Sequence, residues 1–176
     1  MAKKKQPKKT AARPQLGDSV EILDAGSVLE EPITQTLETN YMPYAMSVIV
    51  SRALPEIDGF KPAHRKVLYT MYDMGLLKGN RTKSANIVGS TMHLNPHGDQ
   101  AIYDTMVRLA RGNESLLVPF VSGKGNFGKA YSRDMAYAAS RYTEAKLEEV
   151  CNELFRDIDK DTVDFVDNYD ATTQEP

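Results

Sequence analysis

Proline and glycine divide the middle of this chain into short segments, and this punctuation limits the fold more than any other sequence feature. Pro55 and Gly59 end a first apolar, helix-periodic segment. Pro62 fits the first turn of a second helix, and Gly75 fits the residue just after its end. Residues 95–98, Asn-Pro-His-Gly, form a tight turn between two further helical patterns.

The two helices on either side of that turn have recognisable starts. Ser84 and Asp99 are expected to cap them, because short oxygen-bearing side chains accept hydrogen bonds from free N–H groups at helix N-termini. Two helices across a short glycine-containing turn indicate a helix-turn-helix. In its second helix the apolar face is formed by Ile102, Met106, Leu109 and Ala110, and the polar stripe by Gln100, Asp104, Arg108 and Arg111.

Patterns after this pair predict a small sheet. We expect an apolar strand over 116–121, a second strand or wing over 129–137 after the glycine-rich loop 123–128, and an alternating strand over 162–168. A helix opening at 138–144 is expected to bury Leu147, Val150, Cys151 and Leu154. The predicted fold class is therefore α+β, mainly α, with a winged-helix arrangement.

Four parts are expected along the chain. Residues 1–17 form a disordered basic tail, 18–55 an N-terminal arm and helix, 56–158 the winged-helix domain, and 159–176 an acidic C-terminal part. A kink or restart is expected at Pro43, which falls inside the apolar helical face of the second part. That face consists of Ile33, Leu37, Tyr41, Tyr44 and Val48.

Charge is strongly segregated although the formal net charge is only −2. Residues 1–13 carry six basic side chains and no acidic one, and 14–51 carry six acidic and no basic. Residues 52–146 carry fourteen Lys and Arg against eight acids, and 147–176 carry two against ten. The basic central block suits an anionic polymer such as nucleic acid; an unevenly charged, solvated surface is the alternative.

Other classes of protein fit the sequence poorly. There is no apolar run long enough to span a bilayer, no signal peptide, and a single cysteine, which together predict a cytoplasmic protein without disulfides. Gly123, Gly125 and Gly128 match a dinucleotide-binding pattern, but no alternating series of strands and helices surrounds them. His93 and His97 have the spacing of zinc ligands, yet Pro96 separates them and no third ligand stands nearby, so we expect no metal site in this chain alone.

A set of basic residues falls at predicted helix starts and turns, where a phosphate meets both side chains and backbone N–H groups. Its members are Arg52, Lys61, His64, Arg65, Lys66, Lys83 and Arg141. Ion pairing with the acidic flanks of the chain is the alternative interpretation.

Tyr142, directly after Arg141, also has two interpretations. It is either a structural residue in helix packing or a nucleophile whose phenolate attacks a phosphodiester. A free phenol titrates near ~10 and needs help to ionise at neutral pH. Arg141 would supply positive charge and a planar pair of donors for two phosphate oxygens.

Six stretches, in the same order along the chain, resemble the A subunit family of bacterial type IIA topoisomerases, DNA gyrase and topoisomerase IV. They are residues 44–55, 58–66, 96–99, 125–128, 139–144 and 161–170. The resemblance implies a winged-helix breakage–reunion domain, two copies of which cut both strands of one duplex and pass another through. It also implies that Tyr142 is the nucleophile, that Arg141 binds the phosphate, and that the DNA backbone lies along Arg52, Lys61, His64, Arg65, Lys66 and His97. Lys83, from the basic set, and Asn95, which can still hydrogen-bond, are further predicted DNA-binding residues.

The same resemblance implies partners and cofactors. Double-stranded DNA is the substrate, and a B subunit carrying TOPRIM and ATPase domains completes an A2B2 heterotetramer, nucleoid-associated in the cytoplasm. Mg²⁺ is expected on TOPRIM acids of the B subunit, not on this chain, and ATP is used by the B subunit. Residues 159–176 would begin the tower domain. Because the rest of the tower and the coiled-coil gate are not in the sequence, we expect a fragment that is inactive and does not dimerise stably alone.

Three positions depart from the family pattern. Asn95 stands where the family often has histidine, and the loop 56–58 is one residue shorter than usual. Gln100 replaces a small hydroxyl residue, and Asp104 follows four positions later; in the family these two positions contact fluoroquinolones through a water-coordinated metal. We therefore expect weaker trapping of cleaved DNA by these drugs.

Two assignments stay open. Gyrase and topoisomerase IV are not separated, because the distinguishing C-terminal domain is not in this sequence. A non-catalytic winged-helix DNA-binding protein, such as a regulator, is the alternative function. It accounts for the helix-turn-helix and the basic block but not for the Arg141-Tyr142 pair placed after the loop 125–128.

Overall fold

The structure, a computed structural model, describes residues 31–112, 116–129 and 136–176. The helices are α1 (33–53), α2 (Pro62–Asp73), α3 (Ser84–Thr91), α4 (Asp99–Ala110) and α5 (Cys151–Leu154). The strands are β1 (Thr82–Lys83), β2 (Val121–Lys124), β3 (Glu144–Leu147), β4 (Val166–Asp167) and β5 (Gln174–Glu175), and a 3-10 turn covers Ser140–Tyr142. The described residues thus form a mixed structure that is mainly helical, as the sequence predicts.

Helix α1 changes pitch along its length. Its α-helical and π-helical segments are Ile33–Thr36, Leu37–Tyr41, Met42–Val48 and Ile49–Ala53. The first π turn, closed by a bond from the Met42 N–H to the Leu37 carbonyl, lies directly before Pro43. The expected interruption at Pro43 is therefore confirmed. The π turn shifts the hydrogen-bond pattern just before Pro43, which has no N–H to donate. No residue of α1 is buried, and Ile33 is 74% exposed.

Helix α2 ends as its sequence predicts. Gly75 follows the C-cap with φ of 71°, a backbone conformation that costs glycine little. Its N–H bonds to the Tyr72 carbonyl at 2.8 Å, and the Leu76 N–H bonds to the Met71 carbonyl at 3.0 Å. These two bonds satisfy carbonyl groups that the helix end would otherwise leave unpaired.

One core joins α2, α3 and α4 to the first sheet. Its most completely buried members are Val67, Leu68, Met71, Ile87, Ile102, Met106, Leu109, Val121, Ala145, Leu147 and Cys151. The predicted inner face of α4 is confirmed, with Ala110 half-buried at its end. Cys151 is buried as expected; burial raises the pKa of its thiol to about 11, and its Sγ donates to the Phe120 carbonyl.

The first sheet is antiparallel in the order β1-β3-β2, with Val121 opposite Leu147 and Thr82 opposite Ala145. The expected strand over 116–121 is wrong, because only Val121 belongs to β2. Residue Pro119 has no N–H to donate to a strand partner, and Leu117 is 88% exposed.

The helix expected to open at 138–144 is also wrong. Residues 140–142 form a 3-10 turn, and Glu144–Leu147 form the central strand β3. Along β3, half-buried and buried residues alternate, because a strand sends successive side chains to opposite faces. Leu147 is therefore a buried residue of a strand and not of a helix. Cys151 and the half-buried Leu154 lie on the short α5.

The two expected helix caps are corrected as well. The N-cap of α3 is Lys83 and that of α4 is Gly98, and neither makes a side-chain cap. Ser84 instead starts α3 with a buried hydroxyl that bonds within the core. Asp99 is the first residue of α4, and its carboxylate accepts the Gln100 N–H at 2.9 Å.

The C-terminal part forms a two-stranded antiparallel sheet in which Val166 pairs with Glu175. Only 166–167 of the strand expected over 162–168 are in strand conformation. The buried Asn168 donates to the His93 carbonyl at 2.9 Å and so ties this part to the end of α3.

Most of the expected wing, 130–135, and the tail and arm over 1–30 lie outside the described residues; the domain division stays a prediction. None of the described helices is long and apolar enough to cross a membrane.

Candidate functional site

Tyr142 lies at the end of the 3-10 turn, immediately before β3, with 66% of its surface exposed. The Arg141 guanidinium lies over its ring, with Cζ 4.8 Å from the ring centroid. Hydrogen bonding and positive charge from Arg141 lower the pKa of the Tyr142 phenol. The phenol is therefore accessible and ionises more readily than an ordinary tyrosine, and both properties suit a tyrosine nucleophile.

The backbone that carries Tyr142 is fixed from the interior by Thr143. This side chain is fully buried, with its Oγ1 2.8 Å from the Ser84 Oγ and 3.0 Å from the Tyr103 Oη. The Thr143 carbonyl accepts the Ser84 N–H at 3.0 Å. The tyrosine thus projects from a point that both α3 and α4 hold in place.

The glycine-rich loop packs against the same point. Gly125 has φ of 107°, and a Cβ there would lie 3.4 Å from the Tyr142 carbonyl oxygen and from the Thr143 side chain. Asn126 accepts the Ala138 N–H through its carbonyl at 2.9 Å, which brings the loop against the segment before the tyrosine. Because β2 ends inside the loop and no helix begins in 125–129, the described residues do not form the strand–turn–helix of a dinucleotide site.

A second tyrosine, Tyr137, has a carboxylate beside its hydroxyl, whereas Tyr142 has a guanidinium. Its hydroxyl donates to the Asp104 carboxylate and accepts from the Gln100 amide at 3.0 Å. The Gln100 amide also donates to Asp104 at 2.7 Å. The hydrogen bond with Asp104 raises the pKa of Tyr137. A cleft of about 360 Å³ is lined by Gln100, Tyr137 and Arg141, among others.

Predicted DNA-binding residues lie close together in two places. Arg52, at the end of α1, donates to the His97 Nε2 at 3.3 Å and so contacts the turn before α4. Burial and the positive charges of Lys61 and Arg108 lower the pKa of His64. His64 is therefore neutral near pH 7 and offers hydrogen bonding rather than charge, in the neighbourhood of two cations.

Other predicted residues are engaged by the protein itself. Arg65 makes two bonds to Asp58, at 2.9 and 3.0 Å, and Lys66 donates to the Leu94 carbonyl at 2.8 Å and pairs with Glu175 at 2.9 Å. These contacts fit the ion-pairing interpretation of the two side chains.

Lys83 and Asn95 are also engaged in contacts within the protein. Lys83 pairs with Glu144 at 2.9 Å, across the β1–β3 pair, and Lys124 lies 3.6 Å from the same carboxylate. Asn95 is buried, with its N–H bonded to the Thr91 carbonyl at 2.9 Å.

Sequence reasoning missed three residues of this site: Tyr103, Tyr137 and Thr143. Nothing in their spacing marks them, because their contacts join segments 33 to 59 residues apart. Among residues 31–112, 116–129 and 136–176, no group of three or more His, Cys, Asp or Glu is arranged to hold a metal ion.

An exposed tyrosine under an arginine, next to a packed glycine loop, is compatible with the family suggested by the sequence. The sequence model of the DNA gyrase/topoisomerase IV A subunit matches residues 52–176. The chain belongs to this family. The resemblance drawn from the six stretches is thereby confirmed.

Curated members of the family are similar over most of the chain. The DNA gyrase A subunit of Halalkalibacterium halodurans is 49% identical over 156 residues, which are 87% of this chain and 18% of the relative. The Mycolicibacterium smegmatis protein of that name is 51% identical over 146 residues, 82% of this chain and 17% of the relative. The Helicobacter pylori protein of that name is 48% identical over 153 residues, which are 85% of this chain and 18% of the relative. The chain thus spans less than a fifth of the length of these relatives.

Proposed function

We propose that this chain is the strand-cleaving part of a type II DNA topoisomerase A subunit, with Tyr142 as the nucleophile. The observation that carries the proposal is the exposed Tyr142 phenol under the Arg141 guanidinium, on a backbone held by Thr143 and Gly125. Membership of the gyrase and topoisomerase IV family supports it.

In this proposal the Tyr142 oxygen attacks the phosphorus of a DNA phosphodiester. A phosphotyrosyl ester forms, and one deoxyribose oxygen leaves and takes up a proton as a hydroxyl. Arg141 stabilises the phenolate before attack and balances negative charge on the phosphate during it. Because the ester keeps the energy of the broken linkage, the reverse attack by the hydroxyl reseals the strand without a nucleotide.

The DNA backbone would lie along the edge where Arg52 meets His97 and where Lys61 and Arg108 surround His64. Of these groups, Lys61 and His64 lie at the start of α2 and His97 lies just before α4, where backbone N–H groups of a helix N-terminus attract anions. We further propose that α3, α4 and the β1-β3-β2 sheet act as a winged-helix unit, with the turn between α3 and α4 toward the duplex.

Partner and cofactor assignments belong to the same proposal. A B subunit would supply the ATPase and the TOPRIM acids that hold Mg²⁺, in an A2B2 assembly on double-stranded DNA. The described residues of this chain do not form a metal-binding group, so no step of the mechanism is assigned to an ion held by them.

The test mixes this chain with the B subunit, Mg²⁺ and end-labelled duplex DNA, followed by denaturation and detection of labelled protein. We expect a covalent protein–DNA band that disappears in Tyr142→Phe, since phenylalanine keeps the ring and lacks the attacking oxygen. Tyr169→Phe, which changes another exposed tyrosine, is the matched control and should keep the band.

Two other results would contradict the proposal. A band that persists in Tyr142→Phe would assign the nucleophile elsewhere. Salt-sensitive DNA binding with no band, in this chain and in a chain extended to the length of the relatives, would favour the non-catalytic DNA-binding alternative.

A further inference from the structure

Tyr137 is the centre of a closed set of hydrogen bonds on the first turns of α4. Asp104 accepts from the Tyr137 hydroxyl and from the Gln100 amide, and that amide also donates to the Tyr137 oxygen at 3.0 Å. Each pair among the three side chains is therefore bonded. Arg111, directly after α4, lies with its Cζ 6.0 Å from the Tyr137 ring centroid. Three side chains from this part of the chain thus hold one ring of the segment that leads to the nucleophile.

The constraint on Tyr137 continues toward Tyr142 through Tyr103. The two rings of Tyr137 and Tyr103 meet edge to face, with centroids 5.4 Å apart. The Tyr103 hydroxyl donates to the Ala138 carbonyl at 2.7 Å and lies 3.0 Å from the Thr143 Oγ1. The segment 137–143 is therefore attached to α4 at its start by Tyr137, next to it at Ala138, and at its end by Thr143. Tyr142 projects from between these attachments.

We propose that Tyr137, held by Asp104 and Gln100, is a positioning residue for the attack by Tyr142. The proposal rests on the proposed function and adds to it a second tyrosine with a different role. The hydrogen bonds fix one end of the segment and so narrow the positions of the Tyr142 phenol, which favours orientations close to the attacking one. Tyr137 does not react itself, since its hydroxyl is bonded to a carboxylate and its ionisation is opposed.

Four substitutions test the role of the hydroxyl. Tyr137→Phe and Asp104→Ala each remove the bond between Tyr137 and Asp104. Asp104→Asn keeps an oxygen that accepts the Tyr137 hydroxyl and so serves as a rescue. Tyr72→Phe is the matched control, because Tyr72 also donates to an aspartate, Asp159, from a half-buried position on α2.

The first measurement is the single-turnover rate of covalent adduct formation at saturating DNA, with Mg²⁺ and the B subunit present. We expect Tyr137→Phe and Asp104→Ala to slow this step about tenfold, the scale of losing one hydrogen bond to a charged group. DNA affinity should stay unchanged, any fall in melting temperature should be matched by that of Tyr72→Phe, and Asp104→Asn and Tyr72→Phe should react at nearly the unsubstituted rate. A loss of affinity with an unchanged rate at saturation would overturn the positioning role.

The second measurement, amide hydrogen exchange on this chain alone, does not depend on cleavage. In Tyr137→Phe the N–H groups of Tyr142, bonded to Ala139, and of Ser84, bonded to Thr143, should exchange about tenfold faster. The Leu147 N–H, bonded to Leu76, should not change. Unchanged exchange at Tyr142 and Ser84 would overturn the inference. If the unsubstituted chain forms no adduct, the proposed function fails and exchange alone decides whether Tyr137 positions Tyr142.

Discussion

Tyr137 and Tyr142 lie five positions apart in the sequence and have opposite electrostatic neighbours. Asp104 beside the first raises its pKa, and Arg141 beside the second lowers its pKa. A carboxylate opposes a second negative charge, whereas a guanidinium stabilises one. At the scale of single residues, then, the neighbouring charge makes ionisation harder for Tyr137 and easier for Tyr142, in keeping with the proposed nucleophile.

The first prediction concerns Arg141→Gln. Removing the guanidinium raises the pKa of the Tyr142 phenol toward the ordinary tyrosine value, so less phenolate is present at any pH below it. The rate of adduct formation should fall at neutral pH, and the midpoint of its rise with pH should move upward. A pH–rate profile of single-turnover adduct formation measures both quantities.

Arg156→Gln is the control, because Arg156 is an exposed cation that pairs with Glu153 on the surface of α5. It should leave the profile unchanged. If Arg141→Gln lowers the rate equally at every pH, with the midpoint unmoved, Arg141 acts on the phosphate alone and does not activate the phenol.

The second prediction concerns Gln100→Ser and drug trapping. Gln100 donates to Asp104, so the carboxylate that the family resemblance implies as a drug contact is already engaged by a neighbour. Serine is too short to make this bond, and the Tyr137 bond to Asp104 remains. Fluoroquinolone-stabilised cleavage, expressed relative to cleavage without drug, should rise about tenfold, the scale of one freed hydrogen bond to a charged group. An unchanged ratio would show that Gln100 does not weaken trapping.

At the scale of elements, helices with a long periodic pattern were predictable and short strands were not. The apolar face of α4 repeats over twelve residues, and the end of α2 at Gly75 follows from a local motif. β3 has only four residues, so its alternation is too short to distinguish from a helix turn. Ser84 has a sequence typical of a cap, but its hydroxyl bonds to Thr143, 59 positions away, which no local pattern reveals.

The third prediction concerns the loop that packs on the nucleophile. Gly125→Ala introduces a side chain at φ of 107°, which residues other than glycine rarely adopt, with the new Cβ 3.4 Å from the Tyr142 carbonyl. We expect the free energy of unfolding to fall by about 1–3 kcal/mol. We also expect slower adduct formation, because the loop must shift against the backbone of Tyr142.

Gly89→Ala is the matched control, since Gly89 lies in α3 with open space around it. This change should leave adduct formation intact and stabilise the chain by about 0.5–1 kcal/mol, the helix preference of alanine over glycine. Chemical denaturation measures both effects. Equal stability for Gly125→Ala and the unsubstituted chain would show that the loop is not constrained at this position.

At the scale of the whole molecule, only part of the basic central block, among its described residues, is free for a polyanion. Arg65, Lys66 and Lys83 form ion pairs within the protein, so the basic block presents fewer unpaired cations than its composition suggests. Arg52, which contacts His97, and Lys61, whose charge acts on His64, are the cations of the block that we propose meet the duplex. The basic region was predictable from composition. Which of its cations form ion pairs within the protein became clear only from the fold.

The last prediction follows from this division of the cations. If phosphates are bound at the edge around Lys61, duplex affinity should fall linearly with the logarithm of salt concentration, because each neutralised phosphate releases counterions. Lys61→Gln should lower the magnitude of that slope by roughly one, the loss of a single phosphate contact, without changing sequence preference. Lys160→Gln, which removes a cation paired with Asp157 in the acidic C-terminal part, should leave the slope as it was. Titrations of labelled duplex at several salt concentrations give the slopes, and equal slopes for the two variants would place the DNA on another face of the molecule.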